Sequence, residues 1–228
     1  MSLIRTIAFS TVAFIAAAGS ASAGTITAKL DTGLSQGANI TASGIYNGNV
    51  NTNTFSWTRT DTAGPGVDSS VPVTFDTYCV DLSQNVKDGK TFTFNVISMV
   101  DAGYTALQQS LLRNVWTAYK SSADSKNEVA ALQLAIWEIV YDNDLNTATG
   151  SFKVNSSNTL KTLAQTLVTA ASNLISNPAP GFEPLNLVVL RSNTAQDQIT
   201  EVPVPAPGPV ALAGLGLLLA APRRKNAR

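Results

Sequence analysis

Hydrophobic and polar residues follow two different patterns along the chain, and the first pattern is typical of strands. Between residues 24 and 98, short segments rich in β-branched and aromatic residues alternate with turn signals that contain glycine, asparagine or proline. These segments predict strands at 25–30, 39–46, 54–60, 71–82 and 91–98, with turns at 31–33, 47–49, 63–66 and 87–89. We therefore expect an antiparallel sheet or barrel in this part of the chain.

From residue 104 onward the apolar residues recur at helical spacing. Helices are predicted at 104–120, 126–141 and 158–175. The second begins with Ser125-Lys126-Asn127-Glu128, a capping box in which two side chains satisfy free backbone N–H groups, and the third ends before Asn177-Pro178. Apolar runs at 185–190 and 199–202 predict strands that return to the sheet. The predicted fold is α+β, mainly antiparallel β, with a helical insertion of about three helices.

The two ends of the chain differ from the middle. Arg5 precedes an apolar stretch at 7–18 and the small residues 19–23, which is the pattern of a secretory signal peptide cleaved after Ala23. At the other end, a proline-rich stretch at 202–209 leads to an apolar run at 210–221 and a basic tail at 223–228. The run is shorter than the roughly 20 residues that span a bilayer comfortably. It predicts a marginal membrane helix with a cytoplasmic tail.

This C-terminal arrangement resembles the PEP-CTERM class of sorting signals. Val202-Pro203-Val204-Pro205 matches its Val-Pro-x-Pro variants, with Val204 in place of the commonest glutamate. The resemblance implies a Gram-negative bacterium, export through the inner membrane, transient anchoring, and removal of the tail by an exosortase. The cell surface or the medium is then the destination. An ordinary C-terminal membrane anchor is the alternative. The predicted organisation is a signal peptide at 1–23, one surface domain at 24–200 and a sorting signal at 201–228.

Composition excludes several functions. Charged residues are 13% of the chain and the formal net charge is zero, so the basic face that binds nucleic acid is not expected. The chain has no histidine, which excludes Ser-His-Asp and Cys-His catalysis and histidine-based metal sites. Asp142-Asn143-Asp144-Leu145-Asn146 begins like a calcium loop, but Thr147 and Lys153 replace the required glycine and glutamate. We interpret this segment as a solvated turn at a helix end. No metal site, cofactor or enzymatic activity is predicted.

Cys79, the only cysteine, and Gln133 stand out chemically. An exported protein with one cysteine has no internal disulfide partner for it. Gln133 lies on an apolar helix face with Val129, Ile136, Trp137 and Val140, where an unpaired amide would cost about 1–3 kcal/mol. If the Cys79 sulfur attacked the Gln133 carboxamide and ammonia left, an internal thioester would form.

The segments around these two residues resemble the paired motifs of bacterial thioester domains, first known from Gram-positive surface adhesins. The motifs here are Tyr78-Cys79-Val80-Asp81 and Leu132-Gln133-Leu134-Ala135-Ile136-Trp137, and Leu132 stands where the family usually has threonine. The segment 111–116 resembles the family's intervening helix. The resemblance implies that Cys79 and Gln133 form the thioester. It also implies one-shot covalent attachment to an amine or hydroxyl on a partner, which is stoichiometric rather than catalytic.

Neighbouring residues suggest how the site would work, and an alternative stays open. Tyr78 and Trp137 are predicted to form a dry wall, and Asp81 and Glu138 are candidate proton relays. In the alternative, Cys79 is a small buried hydrophobe and Gln133 bonds to a nearby strand. The chain is then a non-reactive structural protein of the extracellular matrix or a biofilm.

Overall fold

The computed structural model describes residues 24–32, 35–142 and 144–203. The predicted signal peptide, and almost all of the predicted sorting signal with its membrane helix, lie outside these residues. In the described ranges, none of the helices has the length and apolar character needed to cross a membrane.

In the part of the chain that the structure describes, nine strands form two antiparallel sheets. The strands are β1 (Thr25–Leu30), β2 (Ser35–Ala42), β3 (Tyr46–Asn53), β4 (Phe55–Arg59), β5 (Thr74–Cys79), β6 (Thr91–Ser98), β7 (Phe152–Val154), β8 (Asn186–Arg191) and β9 (Gln198–Val202). Six of them close a barrel in the order β1-β4-β5-β9-β8-β6, and the other three form a sheet in the order β3-β2-β7.

Among the described residues, three α-helices lie between β6 and β8 in the chain. They are α1 (Ala106–Tyr119), α2 (Lys126–Tyr141) and α3 (Asn158–Ser176). The α+β prediction, with antiparallel strands, a barrel and a three-helix insertion, is therefore confirmed. The insertion also contains β7, which pairs with β2 and which the sequence pattern did not predict.

The turn predicted at 47–49 is wrong, because these residues lie inside β3 and pair with β2. The chain reverses a few residues earlier, where Gly44 has a φ of 76° and the Ile45 N–H donates to Ala42 O at 2.9 Å. A positive φ is easy for glycine, which explains why the turn forms there. The asparagines of β3 bond across the pair instead, as when Asn39 Nδ2 donates to Asn49 Oδ1 at 2.9 Å.

Helix α2 is the centre of the core. Residues 129–139 are all buried, so the buried surface of α2 extends around the helix beyond the face that carries Gln133. Trp137 belongs to a core cluster that includes barrel and β2 side chains, whereas Ile136 belongs to a second cluster with α1 and α3. A helix covered on both sides needs apolar residues all round. The two polar residues of the stretch 129–139, Gln133 and Glu138, are consequently both in the interior.

The start of α2 has the predicted capping box. Ser125 Oγ accepts from the Glu128 N–H at 3.3 Å, and a Glu128 carboxylate oxygen accepts from the Ser125 N–H at 2.9 Å. The cap fixes the first turn of the helix that carries Gln133.

We predict that Ser125→Ala lowers the midpoint of thermal unfolding by roughly 2–4 °C, because an N-terminal N–H of α2 loses its partner. Thermal unfolding followed by circular dichroism measures the change. Ser121→Ala, at an exposed position before the helix, is the matched control. Equal midpoints for the two variants would contradict the prediction.

Candidate functional site

Strand β5 runs past the end of its neighbour at Cys79. The pairing of β4 with β5 stops at Phe55 and Thr77. On the opposite edge, the Val80 N–H donates to Asp197 O at 2.9 Å, which continues the pairing with β9. Because backbone groups of successive residues point to opposite edges, the N–H and C=O of Cys79 face the side where β4 has ended.

The Gln133 side chain takes the place of the missing strand. The Cys79 N–H donates to Gln133 Oε1 at 2.9 Å, and Gln133 Nε2 donates to Cys79 O at 2.8 Å. Gln133 is 0% exposed and Cys79 is 1% exposed. The structure therefore brings Cys79 and Gln133 together, and the Gln133 amide is hydrogen-bonded to the backbone of Cys79.

The Cys79 thiol is hydrogen-bonded to the backbone of Asp81, two positions ahead. Its Sγ donates to Asp81 O at 2.8 Å and accepts from the Asp81 N–H at 3.3 Å. Burial raises the pKa of the Cys79 thiol far above its ordinary value, and the negative charges of Asp81 and Asp197 add to this rise. The Asp81 backbone and the Trp137 indole oppose it. The thiol is consequently neutral at physiological pH.

Trp137 lies one helical turn after Gln133, on the same side of α2 as the carboxamide. Its ring packs at 6.4 Å from that of Phe152 and is 1% exposed. The indole N–H is buried and has no hydrogen-bond partner among the described residues. It favours the thiolate form of Cys79, so Trp137 supplies both an apolar wall and a free donor beside the sulfur.

Tyr78 faces the other side of β5. Its ring meets Trp116 edge-on at a centroid distance of 5.6 Å, and its hydroxyl accepts from Thr54 Oγ1 at 3.0 Å. Tyr78 and Cys79 belong to different core clusters. Tyr78 thus packs on the side of β5 that faces Trp116 of α1.

The two predicted relay carboxylates are placed differently from each other. Asp81 Oδ1 accepts from the Ser83 N–H at 2.7 Å and from Ser83 Oγ at 2.6 Å, so its bonds to the thiol come from its backbone. Glu138 lies about 140° around α2 from Gln133, by the helical rotation of five residues. Its carboxylate is grouped with Asp142 and Asp144. The structure thus brings Asp81 to the thiol and places Glu138 in another cluster.

Tyr141 is a site residue that the sequence reasoning missed. Its hydroxyl donates to Val80 O at 3.2 Å and accepts from the Leu82 N–H at 2.9 Å. It therefore fixes the segment that follows Cys79 to the end of α2. The spacing of Gln133, Trp137 and Tyr141, each four residues apart, was the available signal.

Gln198 is a second buried amide beside Cys79 that the sequence reasoning missed. It lies directly opposite Cys79 on β9, where Cβ atoms are about 4.5–5.5 Å apart. Its Oε1 accepts from Thr77 Oγ1 at 2.8 Å, and its Nε2 donates to Gln196 O at 3.3 Å. Its amide is thus bonded to other residues, whereas that of Gln133 is bonded to Cys79.

The sequence matches no protein-family model and no curated protein. Among solved structures, the chain is similar to the N-terminal thioester domain of fibronectin-binding protein SfbI from Streptococcus pyogenes, with 15% identity and a TM-score of 0.43 over 74% of this chain and 93% of that one. It is similar to the N-terminal domain of the Streptococcus pyogenes pilus tip adhesin Cpa, with 13% identity and a TM-score of 0.42 over 67% and 84%. It is also similar to the thioester domain of the Staphylococcus aureus TIE protein, with 14% identity and a TM-score of 0.42 over 79% and 80%. These values are too low to assign the chain to a family.

We predict that Gln133→Met, made in a Cys79→Ala background, lowers the free energy of unfolding by roughly 2–4 kcal/mol, because two buried backbone groups lose their partners. The background excludes any thioester, so the difference isolates the hydrogen bonds. Denaturant unfolding measures it. Gln36→Met, at a partly exposed position on β2, is the control in the same background. If the Gln133 and Gln36 variants were equally stable, the two hydrogen bonds would not contribute to the free energy of unfolding.

Proposed function

We propose that this chain is an exported surface or matrix protein in which Cys79 and Gln133 form an internal thioester for one-shot covalent attachment to a partner. The observation that carries the proposal is the pair of hydrogen bonds between the Gln133 carboxamide and the Cys79 backbone. They hold the amide against the only cysteine, and both residues are buried. The motif resemblance described above points to the same two residues.

In the first step, Cys79 Sγ attacks Gln133 Cδ and the Cδ–Nε2 bond breaks. The thiol proton leaves with the departing amide group as ammonia, so the products are a thioester and one ammonia. Negative charge develops on Oε1 during the attack, and the Cys79 N–H already donates to that oxygen at 2.9 Å. A donor placed in advance on a developing oxyanion lowers the barrier. The thiol must give up its bond to Asp81 O as it reacts.

In the second step, an amine on the partner attacks the same carbon. An amide to the partner forms, the Cδ–Sγ bond breaks, and Cys79 regains a proton. A hydroxyl nucleophile would give an ester instead. Gln133 is consumed in the process, so each chain reacts once and the activity is stoichiometric rather than enzymatic. The chemistry uses no cofactor.

Access to the buried site requires part of the fold to move. Both reacting residues are buried, and the backbone of Val80 and Leu82 is fixed by the Tyr141 hydroxyl. We propose that opening of this segment admits the nucleophile and that the closed form protects the thioester from water.

The proposed cellular setting follows from the two ends of the chain. Signal peptidase would release 24–228 after Ala23, and an exosortase would remove the sorting signal at 201–228 after transient anchoring in the inner membrane of a Gram-negative bacterium. The domain at 24–200 would then act in adhesion or cross-linking at the cell surface, in the biofilm matrix or in the medium.

A second candidate function is a non-reactive structural protein of the matrix or biofilm. One observation favours it specifically: both polar atoms of Gln133 and the thiol of Cys79 already have hydrogen-bond partners. The site is therefore physically complete without a reaction.

We predict that the purified exported chain has an intact mass lower than its sequence mass by one ammonia. Incubation with methylamine should then raise the mass by one methylamine, because the amine opens the thioester. Intact mass spectrometry measures both values, and peptide mapping should place the methylamide on Gln133.

Two matched variants sharpen this measurement. Cys79→Ala and Gln133→Met should show the full sequence mass and no reaction, whereas Gln198→Met should behave as the wild type. A full wild-type mass with a titratable thiol would support the non-reactive function. Loss of the reaction in Gln198→Met alone would assign the thioester to Gln198.

We predict that Tyr141→Phe increases the rate of methylamine incorporation roughly tenfold, because the Leu82 N–H and Val80 C=O lose their shared partner and the segment opens more readily. Time-resolved intact mass measures the rate. Tyr119→Phe, on the last turn of α1, removes a hydroxyl elsewhere and should leave the rate unchanged. An unchanged rate in Tyr141→Phe would show that this segment is not the entrance.

A further inference from the structure

Three carboxylates meet where α2 ends. Glu138 lies in the last turn of the helix, and Asp142 and Asp144 follow it in the chain. One oxygen from each residue lies within 4.8 Å of the oxygens of the other two. Like charges this close repel one another unless a proton or a cation lies between them.

Glu138 makes this cluster unusual. Its side chain is 0% exposed, and neither carboxylate oxygen has a hydrogen-bond partner in the described ranges of the chain. A buried, unpaired carboxylate is among the most costly groups that a protein interior holds. The cluster therefore contains a buried carboxylate for which no hydrogen bond is found among the described residues.

The backbone around the cluster leaves room for the carboxylates. Gly150 has a φ of 76°, and a Cβ at this position would overlap Asp142 Oδ2 and meet Asp144 Oδ2 at 2.8 Å. Both aspartates are also held by donors, since Asp142 Oδ2 accepts from the Phe152 N–H at 2.9 Å and Asp144 Oδ2 accepts from Thr149 Oγ1 at 2.8 Å. The cluster is thus a fixed cradle of oxygens.

From this geometry we propose that Glu138, Asp142 and Asp144 bind one hard divalent cation, of the class of Ca²⁺ or Mg²⁺. Such cations prefer carboxylate oxygens, and their charge would supply the partner that Glu138 does not have. The interpretation of 142–146 as a solvated turn is wrong for Asp142, which is only 9% exposed. The segment 142–146 does not have the spacing of a calcium-binding loop, and this cluster includes Glu138, a helical residue that precedes the loop.

The proposed site does not depend on the proposed thioester, because the two sites share no residue. A bound cation would join the end of α2 to the loop that leads into β7. It would therefore stabilise the folded chain, since a ligand that binds only the folded state favours it by mass action.

The test is thermal unfolding of the purified full chain after removal of metal with EDTA. We expect the midpoint to rise by roughly 5 °C or more when Ca²⁺ or Mg²⁺ is added at a hundredfold excess over its dissociation constant. Isothermal titration calorimetry should give one cation per chain. The same rise is expected for Cys79→Ala, which separates this result from failure of the thioester proposal.

Glu138→Gln and Asp144→Asn should each abolish the cation-dependent rise of the midpoint. Asp88→Asn, at an exposed position distant in sequence from the cluster, is the control and should retain it. Glu138→Gln replaces a buried carboxylate with a neutral group of the same shape, and Asp144→Asn provides an independent second variant. Equal midpoints with EDTA, Ca²⁺ and Mg²⁺ would overturn the proposal. So would a rise of wild-type size in both variants, because the cation would then bind elsewhere.

Discussion

The unpaired end of β5 is the constraint on which the arrangement of this protein depends. Where β4 stops, the backbone of Cys79 would be left without partners in a dry interior, at a cost of about 1–3 kcal/mol for each group. The Gln133 carboxamide satisfies both groups at once, at 2.9 and 2.8 Å. This requires a helix to cross the barrel at that point with an amide directed inward. Helices α1 and α3 then cover the other side of α2, which explains why residues 129–139 are buried throughout.

The same contact serves a structural and a reactive role, and the two roles place different demands on the thiol. Burial keeps Cys79 protonated, which suits a passive core residue and also protects a reactive one from premature chemistry. A thioester would in addition cross-link positions 54 residues apart. By the loop-closure relation, such a link would lower the entropy of the unfolded chain and so raise the free energy of unfolding by about 4 kcal/mol. Folding and thioester formation would therefore favour each other, since the fold aligns the groups and the bond disfavours unfolding.

Local sequence signals predicted the parts of the fold that local interactions determine. The start of α2 follows from the Ser125 capping box, and β1 and β6 follow from their β-branched and aromatic residues between turn signals. The sequence pattern did not predict β3, because its asparagines and Gly48 are typical of a turn. These residues form a strand through their pairing with β2. The Cys79–Gln133 pair was found because an odd thiol and a lone amide in an apolar helix each need a partner. Tyr141 and Gln198 were missed because their roles come from contacts between distant segments.

Helix α2 carries two polar groups into the core, and they differ in how the fold accommodates them. Gln133 meets complementary backbone groups, so its burial is compensated within the chain. Glu138 lies near the helix C-terminus, where the macrodipole already disfavours negative charge and the last turn of this described helix has no basic residue. Asp142 and Asp144 add charge of the same sign. Three carboxylates against one helix end repel one another unless a proton or a cation lies between them. The cation proposed above would supply that positive charge at the end of the element that positions Gln133.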